Sequence, residues 1–165
     1  MKLLLVCLLA FLQPIFSGAQ RNTCKLKIIT DKLASTKIAY TPVVPVSNGS
    51  NKMDLHFYKT GHSIVFSVMV TSEELFCVDH TSSAVILFSD KSSIILKASN
   101  TSNCTGNFQS SFYDNVPSTD VEVLASKSIV SINIIGKGHE AGFKENNDEA
   151  RRIRYYFKCI KDLVL

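Results

Sequence analysis

The sequence lacks tryptophan and lacks the short motifs that mark common catalytic or nucleotide-binding sites. It contains no G-x-S-x-G serine elbow, no H-E-x-x-H zinc motif, no phosphate-binding loop and no dinucleotide fingerprint. The missing tryptophan disfavours a sugar-stacking platform, although tyrosine and phenylalanine can also stack on sugars. These absences argue against the enzyme classes that such motifs identify, and we expect no cofactor.

A second long apolar run is also absent. The one such run lies at the N-terminus, where Lys2 precedes the uninterrupted apolar stretch Leu3–Leu12. A helix of that length rises only about 15 Å, which is half of the hydrocarbon core of a bilayer. We therefore expect no transmembrane segment.

The same leading segment has the three parts of a cleaved export signal. Pro14 ends the apolar stretch, and Ser17-Gly18-Ala19 places small residues at both positions that a signal peptidase reads. The cysteine of a lipoprotein follows the apolar stretch directly. Cys24 instead follows the polar residues 20–23, which argues against a lipoprotein. We predict that residues 1–19 are a signal peptide cleaved after Ala19, and that the protein is secreted or periplasmic.

The charge balance of the chain is weak. Its 165 residues include 18 Lys and Arg against 14 Asp and Glu. Lys2 is the only charged residue of the signal, so the mature chain keeps a net charge of +3. This charge is too small and too scattered to indicate nucleic acid or an anionic membrane as a partner. Residues 20–165 have a common size for one domain with its own core.

The chain has five cysteines. Cys7 leaves with the signal, and an even set remains: Cys24, Cys77, Cys104 and Cys159. In an exported protein, such a set indicates two disulfides, with three possible connectivities. No C-x-x-C pair occurs, which argues against a zinc knuckle or a thioredoxin-like site. We interpret the bridges as structural, each worth roughly 3–5 kcal/mol, and predict that Cys104 pairs with Cys159.

Apolar residues alternate with polar residues through much of the chain. Ile64, Phe66 and Val68 form one apolar face, while Ser63 and Ser67 lie on the other. This period of two is typical of strands that have one side on a core. The alternation recurs in Leu55–Tyr58, Ala84–Phe88, Phe108–Phe112 and Val130–Ile134. It predicts an α+β, β-dominated fold with about seven mostly antiparallel strands in a sandwich or strongly curved sheet.

Three turns are expected between neighbouring strands. Asp90-Lys91 joins two apolar segments as a tight hairpin, with Asp90 taking the positive φ that such turns require. Gly61-His62 separates a second pair of strands. The stretch 136–139 is the third expected turn, and it reverses the chain between the strand Ile129–Ile135 and a short strand around Phe143.

A convincing helical pattern occurs only at the C-terminus. Asn146 or Asn147 can cap this helix, and Asp148 and Glu149 suit the positive end of its dipole. Cys159 lies on the flank of its apolar stripe. The stripe consists of Ala150, Ile153, Phe157, Ile160 and Val164.

A histidine pair is the first candidate for a metal site. His56 and His62 flank the predicted turn at Gly61, and Asp54 is the nearest third ligand by strand alternation. The alternative is that all three are simple exposed residues. We assign no metal role to them.

Three adjacent pairs are candidates for acid–base chemistry. Asp79-His80 and His139-Glu140 resemble acid–imidazole pairs, but neighbouring strand residues point to opposite faces and cannot easily orient each other. Glu73 and Glu74 have no fixed separation, whereas glycoside hydrolysis needs two carboxyls held across a cleft. We assign no catalytic role to these residues.

Three asparagines, Asn48, Asn100 and Asn103, begin N-glycosylation sequons. In a eukaryotic protein they would mark accessible surface, and in a bacterial protein they would indicate no more than exposed loops. Whether they are glycosylated stays open at the level of sequence.

Several segments follow one another in an order that is similar to a known group of proteins. They are Phe76-Cys77, Ala84–Asp90, Ile94–Leu96, Asn103–Phe108, Lys127–Ile134 and the final helix with Cys159. Over Cys24–Asp162 the chain resembles uncharacterised small exported β-rich proteins of Bacteroidetes bacteria. It departs from them at Lys91, where glycine is usual, and at His139. The resemblance implies the fold and a periplasmic or outer-surface location, and it implies no function.

The leading functional hypothesis is a non-catalytic binding or interaction module outside the cytoplasm, which engages a protein, a glycan or a small ligand. Exposed sheet surface or the long loops 47–52 and 99–107 would make the contact. The tyrosines that could offer such a surface are Tyr40, Tyr58, Tyr113 and Tyr155; the alternative is that they are ordinary residues of amphipathic strands. The alternatives are a small exported hydrolase or metal-dependent enzyme, and an enzyme inhibitor that inserts the loop 99–107 into a target.

Overall fold

The alternating segments form strands in the computed structural model, which describes residues 24–32, 34–113 and 118–165. The predicted signal 1–19 and its cleavage after Ala19 lie outside the described residues. The strands are β1 (Lys27–Asp31), β2 (Thr36–Tyr40), β3 (Val44–Asn48), β4 (Asn51–Thr60), β5 (Ser63–Thr71), β6 (Ser83–Phe88), β7 (Ser93–Lys97), β8 (Asn107–Tyr113), β9 (Ile129–Ile135) and β10 (Glu140–Lys144). The helices are α1 (Thr119–Ser126) and α2 (Asn147–Lys161).

These strands form two antiparallel sheets. The larger sheet has the order β1-β2-β4-β5-β8, with β3 also paired to β4, and the smaller has the order β10-β9-β6-β7. One cluster of buried apolar side chains contains residues of both sheets and both helices. The predicted α+β, β-dominated antiparallel sandwich is therefore confirmed.

The prediction of about seven strands is too low, because β1, β2 and β3 have weak signals. The sequence of β1 does not alternate, because the apolar residues Ile28 and Ile29 are consecutive; both are exposed in the structure. In β3 Pro45 stands between the buried residues Val44 and Val46, and a proline usually argues against a strand. The long strand β4 nevertheless pairs with β3 along its first half and with β2 along its second half.

The C-terminal helix agrees with its predicted signals. The side chain of Asn146 accepts hydrogen bonds from the backbone N–H groups of Asp148 and Glu149, and the Glu149 carboxylate accepts one from the Asn146 N–H. The four stripe residues from Ala150 to Ile160 are buried. Val164 is wrong as a stripe member, because the helix ends at Lys161 and Val164 is 93 % exposed.

Aromatic contacts hold α2 on the larger sheet. The ring of Phe157 lies 5.0 Å from the ring of Phe57 on β4 and 6.1 Å from that of Phe112 on β8, with edge-to-face geometry in both contacts. Such aromatic pairs are worth about 0.5–1.5 kcal/mol beyond their burial. The helix therefore contributes to the same core that the sheets enclose.

The short helix α1 was not predicted. Its apolar residues Val121, Leu124 and Ala125 are buried, but they span barely two turns and give little periodicity. No side-chain cap at Ser118 marks its start. Tertiary contacts support it instead, including an ion pair of 2.7 Å between Glu122 and Lys161 of α2.

Two of the three predicted turns are as expected, and the third differs in detail. The strands on either side of Gly61-His62 and of 136–139 pair as antiparallel neighbours. At the β6–β7 hairpin the residue with positive φ is Lys91, at +67°, and not Asp90. The Asp90 carboxylate instead accepts a hydrogen bond from the Ser92 N–H and lies 2.6 Å from Lys127 Nζ. The turn therefore forms with a lysine, instead of a glycine, in the left-handed conformation at position 91.

Among the described residues, Cys24, Cys77, Cys104 and Cys159 form two disulfides, Cys24–Cys159 and Cys77–Cys104. The predicted pairing of Cys104 with Cys159 is wrong. Cys104 lies directly opposite Cys77, because the neighbouring residues Val78 and Asn103 form an antiparallel bridge. Helix α2 is tied to the chain before β1 and not to the loop 99–107.

A carboxyl group lies within the core at the junction of β10 and α2. Glu145 directly follows β10, on the same inward side as Ala141 and Phe143 of that strand, and is 8 % exposed. Neither carboxyl oxygen has a hydrogen-bond partner among the described residues. Burial raises the pKa of Glu145 to about 8, and the carboxylate of Glu149 adds to this shift. At neutral pH the protonated form is therefore favoured.

This raised pKa predicts a pH-dependent stability. The folded protein binds the Glu145 proton more tightly than the unfolded chain does. The contribution of protonated Glu145 to the free energy of unfolding is therefore fully present below about pH 4.5 and is lost as the pH rises to about 8. The loss approaches several kcal/mol, with about 5 kcal/mol as its upper bound. Glu145→Gln should remove this slope and stabilise the protein at pH 8, as measured by urea unfolding from pH 4 to 9. Parallel profiles for the wild type and the variant would contradict the assignment.

Candidate functional site

Three loops meet beside the Cys77–Cys104 disulfide and enclose an open cleft of about 690 Å³. They are the stretches 72–82 before β6, 98–106 before β8 and 136–139 between β9 and β10. The cleft is lined by Leu75, Cys77, Val78, Asp79, His80, Ser102, Asn103, Cys104, Lys137 and His139. Its volume lies within the range of about 300–1,000 Å³ that is typical of small-molecule sites.

Backbone hydrogen bonds join the first two loops. Val78 and Asn103 exchange both of theirs, at 2.7 and 2.9 Å, and the Gly106 N–H donates to the Phe76 carbonyl at 2.9 Å. Gly106 has a φ of +75°, and a Cβ at this position would lie 2.0 Å from the Val70 carbonyl oxygen. A side chain at position 106 would therefore force the loop away from β5.

The third loop is held against the same segment. The Lys137 N–H donates to the Cys77 carbonyl at 2.9 Å. A Cβ on Gly136 would lie 2.4 Å from that carbonyl oxygen, so glycine permits the close approach. The side chains of Lys137 and His139 consequently reach the same cleft as those of the disulfide loops.

The Asn103 side chain organises the loop that carries Cys104. Its amide nitrogen donates to the carbonyls of Thr101 and Asn107, at 3.2 and 2.9 Å. Its amide oxygen accepts from the N–H groups of Thr105 and Asn107, at 3.2 and 3.1 Å. Asn100 makes a similar pair of bonds to the backbone of Asn107 and Gln109. The Asn48 amide nitrogen donates to the Gly142 carbonyl at 2.8 Å, so all three sequon asparagines have structural bonds at the amide nitrogen.

Replacing Asn103 should loosen this loop. Asn103→Ala removes four hydrogen bonds to backbone groups, and we expect a loss of about 1–3 kcal/mol in the free energy of unfolding. Ser102→Ala is the matched control, because Ser102 is an exposed residue of the same loop. Chemical denaturation measures both variants. Equal stability of Asn103→Ala and the control would show that the network contributes little.

The acid–imidazole pair Asp79-His80 does not act as a unit. The Asp79 carboxylate accepts hydrogen bonds from the N–H and hydroxyl of Thr81, at 2.9 and 2.6 Å, and from the hydroxyl of Ser82. The bond from the Thr81 hydroxyl is the main cause that lowers the pKa of Asp79. Asp79 thus shapes the turn before β6, and His80 lies exposed on the cleft.

His139 connects this cleft to a smaller one of about 240 Å³. Its Nδ1 lies 3.4 Å from a carboxylate oxygen of Glu74, which belongs to the loop before Cys77. Glu73, Glu74 and Glu140 all line the smaller cleft. The three adjacent pairs singled out in the sequence therefore meet at one end of the sandwich. The sequence does not indicate that His139-Glu140 joins the other two pairs, because β6 to β9 lie between them along the chain.

His56 and His62, the candidate pair for a metal site, lie at different places in the β4–β5 hairpin. His56 lies opposite Ser67 within the β4–β5 ladder, whereas His62 belongs to the two-residue turn that ends it. Burial lowers the pKa of His56, and Asp54 opposes this shift. Within the described ranges, no group of three or more His, Cys, Asp and Glu side chains is arranged to hold a metal ion.

The four candidate tyrosines lie on four different elements: Tyr40 on β2, Tyr58 on β4, Tyr113 on β8 and Tyr155 on α2. Tyr58 lies between Tyr40, at 5.7 Å between ring centroids, and His56, at 6.2 Å. The Tyr58 hydroxyl donates to the side chain of Gln109 at 3.3 Å. Tyr155 packs on Tyr156 of α2 instead, at 5.5 Å. The half-buried rings of Tyr40, Tyr58 and His56 form a row on the outer face of the larger sheet, away from the cleft.

Comparisons with known proteins identify no relative. No protein-family model, no curated protein and no solved structure matches this chain. Among the described residues, neither helix is long and apolar enough to cross a membrane.

Proposed function

We propose that this chain is an exported, non-catalytic binding module whose ligand occupies the cleft beside Cys77–Cys104. The observation that carries the proposal is the convergence of three loops around one cleft, where a disulfide and backbone hydrogen bonds hold them. Loops that are already fixed lose little conformational entropy when a ligand binds. Such preorganisation is typical of a binding site.

The lining of the cleft supports a ligand with both polar and apolar parts. Leu75 is 67 % exposed at the rim and offers an apolar contact. His80, Lys137 and His139 offer nitrogen donors from two different loops. This mixture of polar and apolar lining residues favours a small organic molecule or the end of a peptide as the ligand over a long polymer chain.

The proposed location rests on two features. The leading apolar segment has the pattern of a cleaved signal, and two disulfides suit an oxidising compartment. The resemblance to exported Bacteroidetes proteins agrees with a periplasmic or outer-surface location. The hydrolase alternative has less support, because its candidate histidines are dispersed. His56 lies on β4, His62 in the turn after β4, and His80 in the cleft.

A test of the location is the N-terminus of the protein produced with its own leader in a bacterial host. We expect N-terminal sequencing of material from the periplasm or the medium to begin at Gln20. Non-reducing electrophoresis should show both disulfides formed. Intracellular protein that still begins at Met1 would overturn the proposal of export.

A test of the cleft uses a fragment library and measures the rise in melting temperature together with amide chemical-shift changes. Compounds that stabilise the wild type should shift the amides of residues 75–80, 102–105 and 137–139. The combined variant His80→Ala, Lys137→Ala, His139→Ala should lose at least about tenfold in affinity, which corresponds to the loss of one or two good polar contacts.

The matched control for this test is the combined variant Lys52→Ala, Lys144→Ala, in which both substitutions change exposed strand residues outside the cleft. This control should bind the compounds as the wild type does. Compounds whose shifts map to the row of Tyr40, His56 and Tyr58 would place the binding site on the outer sheet face and contradict the proposal.

A further inference from the structure

The Cys77–Cys104 disulfide forms part of the cleft wall. Cys104 is exposed, Cys77 is half-buried, and both residues line the cleft of about 690 Å³. In the other disulfide Cys24 is exposed, but Cys159 is only 8 % exposed on the flank of α2. Because thiol–disulfide exchange requires a thiolate to reach a sulfur atom, the disulfide in the cleft is the more accessible of the two.

The charges around this disulfide favour an anionic partner. Lys137 is the lysine that lines the cleft, and a cationic neighbour stabilises a thiolate and attracts an anion; His80 and His139 add ring nitrogens to the same lining. Asp79 is the one carboxylate among the described lining residues, and Thr81 and Ser82 hold it through hydrogen bonds. Glu74 lies on the smaller cleft, where its carboxylate is 3.4 Å from the Nδ1 atom of His139.

Charge alone does not distinguish the two disulfides. Lys25 follows Cys24 in the chain, and Lys158 precedes Cys159 on α2, so the second disulfide also has basic neighbours. The difference lies in the cleft, which gives a small molecule a place to bind beside Cys77 and Cys104.

Backbone hydrogen bonds join the segments of Cys77 and Cys104 independently of the disulfide. The two hydrogen bonds between Val78 and Asn103, and the one from Gly106 to Phe76, join the same segments without the sulfur atoms. The bridge spans a sequence separation of 27, against 135 for Cys24–Cys159. Exchange at this site is therefore compatible with a folded protein.

We propose that Cys77–Cys104 is a site of thiol–disulfide exchange with low-molecular-weight anionic thiols. In the first step a thiolate attacks one sulfur; the bond between the two cysteines breaks, and a mixed disulfide forms. The released cysteine leaves as a thiolate and takes up the proton that the small thiol lost. A second thiol then attacks the mixed disulfide, so two thiols are oxidised to one disulfide while Cys77 and Cys104 are reduced. This inference does not depend on the proposed binding role.

The test exposes the mature protein to three thiols at equal thiolate concentration: anionic glutathione, neutral 2-mercaptoethanol and cationic cysteamine. Acid quenching, alkylation and peptide mass mapping then follow each cysteine. We expect Cys77 and Cys104 to react before Cys24 and Cys159. At low salt, glutathione should react at least about threefold faster than cysteamine, and 1 M salt should narrow this difference.

Two variants examine the role of the cleft charges. Lys137→Gln should reduce the preference for glutathione, whereas Lys144→Gln, at an exposed strand residue outside the cleft, should leave it unchanged. The salt series keeps the proposal testable even if Lys137→Gln folds poorly. Equal or faster reaction at Cys24–Cys159, or a preference for cysteamine in the wild type, would overturn the proposal.

Discussion

Each sheet of this protein has one apolar face and one largely polar face, and the two apolar faces can leave water only by packing together. The inward residues of β4, β5 and β8 and those of β6, β9 and β10 belong to one buried cluster. Helix α2 completes this layer where Phe157 meets Phe57 and Phe112. Since hydrophobic burial is the main favourable contribution to folding, the other features of the structure depend on this arrangement.

The two disulfides play different parts in this architecture. Cys24–Cys159 connects the chain before β1 to the last helix and closes a sequence separation of 135. In the chain-entropy description it is worth about 5 kcal/mol, against about 3.5 kcal/mol for the separation of 27 between Cys77 and Cys104. The longer bridge therefore supports the fold, while the shorter one acts within the loops that form the cleft.

Local signals in the sequence were reliable where sequence neighbours provide the interactions. The hairpin at Gly61-His62 and the cap of α2 at Asn146 depend on residues within a few positions of each other, and both were predictable. Helix α1 and strands β1 to β3 depend on distant partners, such as Lys161 for Glu122 or β4 for β3. Their own residues carry little periodicity, so the sequence left them undetected.

The cleft shows the same division. Its residues Asp79, His80, His139 and Glu74 were recognisable as candidates by type, but their meeting depends on how the two sheets place three loops at one end of the sandwich. The pairing of Cys104 with Cys77 likewise follows from the Val78–Asn103 bridge and not from cysteine spacing.

The sequence alone determined the fold class, the even set of cysteines and the terminal helix, because periodicity and composition are local properties of a chain. Tertiary structure decided which cysteines pair, which loops meet and that Glu145 lies unpaired in the core, because these depend on contacts between residues far apart in the sequence.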